Sequence, residues 1–312
     1  MPEVRIRTAP GHHFYRLAAG QWRYSTPQGR FVRVAGEEST LQEAADVLRS
    51  AHPVDADADF REPAGDPVQP GARALLEDLV RRGVAVEVPQ AGAPDTPAAA
   101  HQAPTDDPTE SSTGARPHVP PAASEVRIEG DGPVAQMVAR LLTPRARVVR
   151  GEANEAAVAQ AAVLISCADR LPDRRWSVVD RWCRESGTPW HRVYPEGLRW
   201  CLGPLYVPGG PGYRDVRGRI LAASPWADEL LGLWQHLDTA ADPAPPTGIG
   251  TVAALAGALA ADVDAFLDGR PVPGAGHQVV HDPHAGTWTR HPVLPLPVTA
   301  PLPTQARVVA GS

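Results

Sequence analysis

Thiols, imidazoles and amines supply many protein nucleophiles and metal ligands, and this chain carries them unevenly. All 30 of its cationic side chains are arginine and none is lysine. A phosphate loop with its lysine on the β- and γ-phosphates, Schiff-base chemistry and phosphoryl transfer that needs a strand lysine are therefore excluded. Cys167, Cys183 and Cys201 are scattered and form no Cys-x-x-Cys pair. They offer neither a disulfide framework nor a tetrahedral zinc site, and read as small buried hydrophobes. His12-His13 and the group His277, His281, His284 and His291 are separated by Gly, Pro and loop residues. They read as exposed polar side chains. No metal site is expected from them.

One glycine pattern has the spacing of a nucleotide turn. Val126-Arg127-Ile128-Glu129 reads as a strand entering Gly130-Asp131-Gly132-Pro133-Val134-Ala135, which opens a helix over Pro133–Leu142. In that geometry glycines let a phosphate approach a helix N-terminus. Here Asp131 puts negative charge where the phosphate would lie. The next strand, Arg147–Arg150, ends without the acid that holds a ribose, and Glu152 already belongs to the following helix. Gly130 and Gly132 are read as a vestigial turn, with no cofactor.

The elements that position these residues fall into three segments. Pro and Gly make about a fifth of the chain, against roughly 12% in ordinary proteins, and prolines crowd the stretch between Pro89 and Ser124. That stretch has no aromatic residue and a single branched aliphatic, Val119. It cannot bury enough apolar area to offset its ordering entropy. Residues 89–124 are therefore predicted to be a disordered linker on which two folded units move independently.

Residues 1–88 hold short strands around Val4–Arg7, His13–Ala18, Gln21–Ser25 and Arg30–Ala35. A helix follows, capped by Ser39 or Thr40, with Leu41, Ala44, Ala45 and Leu48 on one face. A second helix over Ala72–Arg82 stops at Gly83, and Val84–Val88 is a strand. This is a winged-helix order. Residues 125–312 alternate: strands Arg147–Arg150, Ala162–Cys167 and Trp190–Tyr194 are interleaved with helices Glu152–Gln160 and Arg174–Glu185. Such alternation predicts a doubly wound parallel sheet. Thr251–Leu267 is amphipathic and predicted to pack on that sheet. Trp176, Trp182, Trp226 and Trp234 are core or interface anchors.

Charge is polarised between the units. The formal net charge of −6 argues against a globally polyanion-binding protein, yet residues 1–35 hold six arginines against Glu3 alone. A basic sheet attracts an anionic partner. The helix before Gly83 sets Glu77 and Asp78 among Arg73, Arg81 and Arg82, where phosphate would repel the acids. An acidic peptide fits better than nucleic acid. No apolar run is long enough to span a membrane, and MPEVRIRTAP lacks a signal-peptide core, so a cytoplasmic protein without a membrane partner is expected.

Two runs resemble a known family. They are Leu202-Gly203-Pro204-Leu205-Tyr206-Val207-Pro208-Gly209-Gly210-Pro211-Gly212-Tyr213, with Asp215 and Arg219 beyond, and His291-Pro292-Val293-Leu294-Pro295-Leu296-Pro297. They resemble the ThiF-like (ubiquitin-activating-type) F proteins of azole-modified peptide biosynthesis. In that family the first run precedes a Cys-Tyr-x-Cys zinc half-site and the second precedes another cysteine pair. Here Gly212 and Asp215 stand at the first pair, with Val298 and Pro301 near the second, so a lost zinc is implied. The family also carries an N-terminal winged-helix peptide-recognition element, which residues 1–88 resemble. The implied α/β fold is a winged-helix α+β recognition domain (1–88), a flexible linker (89–124) and a degenerate ThiF-like domain with a Rossmann-type parallel sheet (125–312).

The resemblance implies an accessory protein rather than an enzyme. It would bind the leader of a ribosomal precursor peptide, acidic in view of the basic sheet. It would then present the precursor to a YcaO-type cyclodehydratase that makes thiazolines and oxazolines, as in thiopeptide biosynthesis. The leader would add as a strand in a groove between the third strand and the last helix of the first unit. That groove maps to Arg30, Phe31, Val32, Arg33 and Val34, and to Arg73, Leu75, Leu79 and Arg82. Alternation sets Val32 and Val34 on one face, and Phe31 and Arg33 on the other. A homodimer is compatible with the superfamily. Two other readings stay open: a nucleotide-using adenylating enzyme of ThiF type, and a winged-helix transcriptional regulator with a ligand-sensing α/β domain.

Overall fold

The computed structural model describes residues 4–18, 20–50, 68–89, 124–239 and 247–297. Residues 90–123 of the expected linker lie outside them. In the first unit β1 (Val4–Thr8) pairs antiparallel with β5 (Ala85–Pro89). The strands β2 (His13–Arg16), β3 (Trp22–Ser25) and β4 (Phe31–Val34) form an antiparallel sheet in that order. Alternation gives this sheet two faces. Phe14, Trp22, Tyr24 and Val34 turn towards α1 (Glu38–Ser50) and α2 (Pro70–Arg81), and pack with Leu41, Ala44, Leu48, Leu76 and Leu79. The first helix begins at Glu38, before the expected Ser39/Thr40 cap. The Leu41 N–H donates to the Glu37 carbonyl, and the Ser39 hydroxyl turns to the Glu37 carboxylate instead.

The second unit runs β6 (Glu125–Glu129), α3 (Pro133–Leu142), β7 (Arg147–Arg150), α4 (Glu155–Gln160), β8 (Val163–Cys167) and α5 (Asp173–Ser186). It continues with β9 (Trp190–Glu196), β10 (Arg199–Leu202), α6 (Tyr213–Ala223), α7 (Ala227–Leu237), α8 (Ile249–Leu267), β11 (His277–Asp282) and β12 (Thr287–Pro292). Helix α4 starts three residues later than expected because the Asn154 side chain caps it, accepting from the Ala157 N–H at 2.9 Å. The sheet order is β12-β11-β10-β9-β8-β6-β7. Only β7, β6, β8 and β9 are parallel; β10, β11 and β12 join antiparallel. The sheet is therefore mixed, and the expectation of a parallel sheet is corrected. Short turns close the antiparallel hairpins β9–β10 and β11–β12, while α6, α7 and α8 connect β10 to β11.

Helices cover both faces of this sheet. Val126, Ile128, Val163 and Ile165 face α3 and α8, while Leu164, Trp190 and Tyr194 face Trp176, Tyr213 and Trp234 on the other side. The helix α8 is long and apolar enough to cross a membrane by length and composition. Its Val252, Leu255, Leu259 and Val263 are nevertheless buried in the core shared with α3, as the sequence predicted. Trp176 and Trp234 are buried anchors as expected, whereas Trp226 is exposed.

The two units share a closely packed seam. The outer face of β2-β3-β4 lies on α7. Tyr15 is 1% exposed and stacks on His236 with ring centroids 5.2 Å apart. The Arg23 Nε–H donates to both Glu229 oxygens at 2.9 Å. Gly232 sits so near Leu17 that a Cβ would lie 2.1 Å from its Cδ2. In the β9–β10 turn, Gly197 has φ +61°, and a Cβ there would meet the Pro27 carbonyl oxygen at 2.5 Å. The expectation of independently moving units is therefore overturned. Linker composition reports on the linker, and says nothing of whether the bodies it joins bury a common surface.

Candidate functional site

The strand β4 pairs on one side only, matching Trp22 with Val34, Arg23 with Arg33, Tyr24 with Val32 and Ser25 with Phe31. Its other edge presents unpaired backbone groups among the described residues, which is the arrangement that accepts an added strand. The faces that alternation left unassigned are now settled. Val34 joins the core of the first unit, and Val32 is on that side opposite Tyr24. Phe31 and the exposed Arg33 lie on the face that turns to the second unit.

The cations expected at this edge differ in availability. Among the described residues no ion pair engages Arg30 or Arg33, both exposed. Arg82 donates to Asp78 at 2.5 Å, as does Arg81, and the two guanidiniums hold the Asp78 carboxyl below its ordinary range. Arg82 also neighbours Tyr24, which brings the end of α2 against the sheet beside β4. Arg73 pairs loosely with Glu77 at 3.9 Å. Leu75 is half-buried at the core edge, but Leu79 is only 1% exposed and lies inside the core. It shapes the groove from beneath and offers no surface to a ligand.

The nucleotide turn forms, with Gly132 as N-cap and Pro133 opening α3. Its surroundings do not fit a nucleotide. A Cβ on Gly132 would come 2.8 Å from the Asp169 carboxylate, which occupies the space before the helix N-terminus. Burial, together with Asp131, raises the Asp169 carboxyl above its ordinary value. Glu129, at the end of β6, accepts from Ser166 Oγ at 2.7 Å, the Ala153 N–H at 2.9 Å and Arg175 at 2.5 Å. Glu129, Asp131 and Glu152 line a cavity of about 270 Å³ with Arg175 as its one cation, a net negative lining that disfavours a polyphosphate.

At the position of the resembling family's first zinc half-site, other side chains fill the space. A Cβ on Gly212 would lie 2.6 Å from Asp180 Oδ1, so a cysteine there would have to displace that carboxylate. Asp215 instead accepts the Gly212 N–H at 2.7 Å, Arg184 at 2.8 Å and the Leu296 N–H at 2.7 Å. Burial would raise its carboxyl, but these donors hold it below its ordinary value. Arg219 adds a bond to the Leu294 carbonyl at 2.7 Å. The described residues contain no cluster of metal-ligating side chains. Val298 and Pro301 lie outside them.

The three thiols are held protonated by their surroundings. Burial pushes the Cys167 thiol up to about 12 and raises those of Cys183 and Cys201. Sequence reasoning missed a buried His191–Asp262 pair at 2.9 Å. The Arg192 N–H donates to His191 Nδ1 at 2.9 Å, so the ring proton sits on Nε2, facing Asp262. Both ring nitrogens are engaged, and no serine or cysteine lines the adjoining cavity of about 300 Å³. Also missed were Arg23 and Glu229, whose pairing no local pattern could reveal across 206 residues.

No family model matches the chain, and a search of curated proteins finds no match. Among solved structures the chain is similar to the heterocyclase TruD, with 14% identity and a TM-score of 0.43, covering 93% of this chain and 41% of that one. It spans about two fifths of that protein's length. It is also similar to a chain of the E. coli microcin synthetase McbBCD complex, with 13% identity and a TM-score of 0.45, covering 95% and 99% of the two chains. A third similarity is to E. coli MccB with ATP, at 11% identity and a TM-score of 0.44, covering 94% and 98%.

Proposed function

We propose that this chain is a non-catalytic partner protein that grips the leader of a ribosomal precursor peptide on β4 and delivers it to a YcaO-type cyclodehydratase. The observation that carries this reading is the open β4 edge flanked by Arg30 and Arg33. An incoming strand gains backbone hydrogen bonds there, and its acidic side chains gain bidentate guanidinium partners. The carboxylate-filled turn and the raised thiols support a role without chemistry of its own. They weigh against the adenylating alternative. Asp78, locked between Arg81 and Arg82 on α2, weighs against a major-groove helix and so against the regulator.

The test is reconstitution. The intact chain, a YcaO-type partner and a Cys/Ser-containing precursor encoded beside them are combined with ATP, and loss of water per azoline is followed by mass. Activity should require this chain and the leader together. Azoline formation by this chain alone would show that it is the enzyme.

A further inference from the structure

A cavity of about 100 Å³ lies at the seam, beside Phe31. Its wall from the first unit includes His13, Ser25 and Phe31, which form one cross-strand row on β2, β3 and β4. Its opposite wall comes from the second unit and includes Leu171, Tyr194, Leu230, Leu233, Trp234 and Leu237. The interior is thus chiefly apolar, while the carboxylates Asp169 and Glu196 also border it.

A row of directly opposed residues keeps its side chains on one face, and the next strand lies about 4.8 Å away. A strand added to β4 therefore sets the side chain opposite Phe31 next in the row whose other members line the cavity. We infer that this side chain enters the seam cavity, so that α7 and Leu171 take part in choosing the peptide. Size narrows the class. An apolar cavity of about 150 Å³ holds benzene, so this smaller one suits a branched aliphatic side chain (Leu, Ile or Val) rather than an indole. The inference rests on the leader-binding reading and deepens it: the first unit supplies backbone pairing and cationic contacts, and the seam supplies a sequence requirement.

The test uses the full-length chain and a phage-displayed library of random dodecapeptides. Selection on the natural sequence should enrich peptides that combine acidic residues with one aliphatic residue at a fixed spacing from them. Selection on Leu233→Trp, which fills the cavity, should keep the acidic preference and lose the aliphatic one. A synthetic peptide from the first pool should bind Leu233→Trp about 10–100-fold more weakly, the worth of one buried aliphatic side chain. Leu230→Trp serves as a second filling variant if the first folds poorly. Independently of any variant, a diazirine analogue of leucine at the aliphatic position should photocross-link to α7 or Leu171. An aliphatic preference that persists in the Trp variants, or cross-links confined to β4 and α2, would overturn the seam pocket and leave leader binding intact. No enrichment at all, or binders indifferent to Arg33→Glu, would overturn the leader-binding reading and the pocket with it.

Discussion

The Asp215 carboxylate accepts the Leu296 N–H at 2.7 Å and so ties the start of α6 to a segment 81 residues further along. Arg219 holds the neighbouring Leu294 carbonyl, and together they make a strap between α6 and the segment that follows β12. Asp215→Ala should cost about 1–3 kcal/mol, the price of leaving buried donors unpaired, and should speed amide exchange at Leu296. Chelators should change neither. Because the Asp215 carboxyl is held low, its contribution is present above the unfolded carboxylate pKa of about 3.9 and disappears only as pH falls through the lower folded value. Hydrogen exchange across 291–297 checks this; unaltered exchange in the variant would show that the strap is held by other contacts.

Burial, its largest influence, raises the Asp238 carboxyl from 3.8 to about 6. The folded state therefore binds a proton more readily than the unfolded chain does, and stability contributed here falls as pH rises from about 4 to about 6. Asp238→Asn retains an acceptor for the Arg174 N–H. It should flatten that slope and raise stability at pH 7 by less than about 2 kcal/mol, after allowance for partial exposure. Urea unfolding at several pH values between 4 and 7 measures the slope directly.

Reversal of the two unpaired edge cations, Arg30→Glu with Arg33→Glu, should weaken binding of an acidic leader at least about tenfold and flatten its salt dependence. Arg82→Glu should weaken it less, since that guanidinium is already engaged by Asp78. Fluorescence titration at two ionic strengths separates these cases. Equal losses would move the contact from the strand to α2.

Cleavage at a protease site placed within 90–123 should leave the halves associated on gel filtration, because the seam is direct. Glu229→Ala removes one partner of the nearly buried pair with Arg23 and should cost about 3 kcal/mol. The cleaved variant should then separate on dilution. Halves of the natural sequence that part on cleavage would restore the tethered arrangement.

Calorimetry with Mg-ATP and NAD should show no binding at about 1 mM nucleotide, a level at which even a weak site of about −4 kcal/mol is half filled. Micromolar binding would make the adenylating enzyme the better reading.

Legibility followed the range of the interactions. Helix α3 was readable to the residue because Pro133 and the glycine turn mark its start locally. The strand β4 was readable because Phe31-Val32-Arg33-Val34 follows a Pro-Gln-Gly turn, whereas its open edge was implied only by the resemblance. The hairpin β11–β12 was not: all six β12 side chains are exposed, so no hydrophobic alternation advertises a strand. The face assignment of Val32 and Phe31, the burial of Leu79 and the seam depend on partners far along the chain. Asp169 facing Gly132 is such a case, since a lone acid in a loop carries no sign of the turn it will fill.

An open strand edge is also a hazard, because a second copy of the same strand can pair with it. Phe31, Val32 and Val34 would make such a contact adhesive. An antiparallel self-pairing, however, would bring cationic Arg33, and Arg30 just before the strand, near their own copies with no described acid to separate them. The two arginines proposed to draw in an acidic peptide would thus also disfavour pairing of this edge with its own copy.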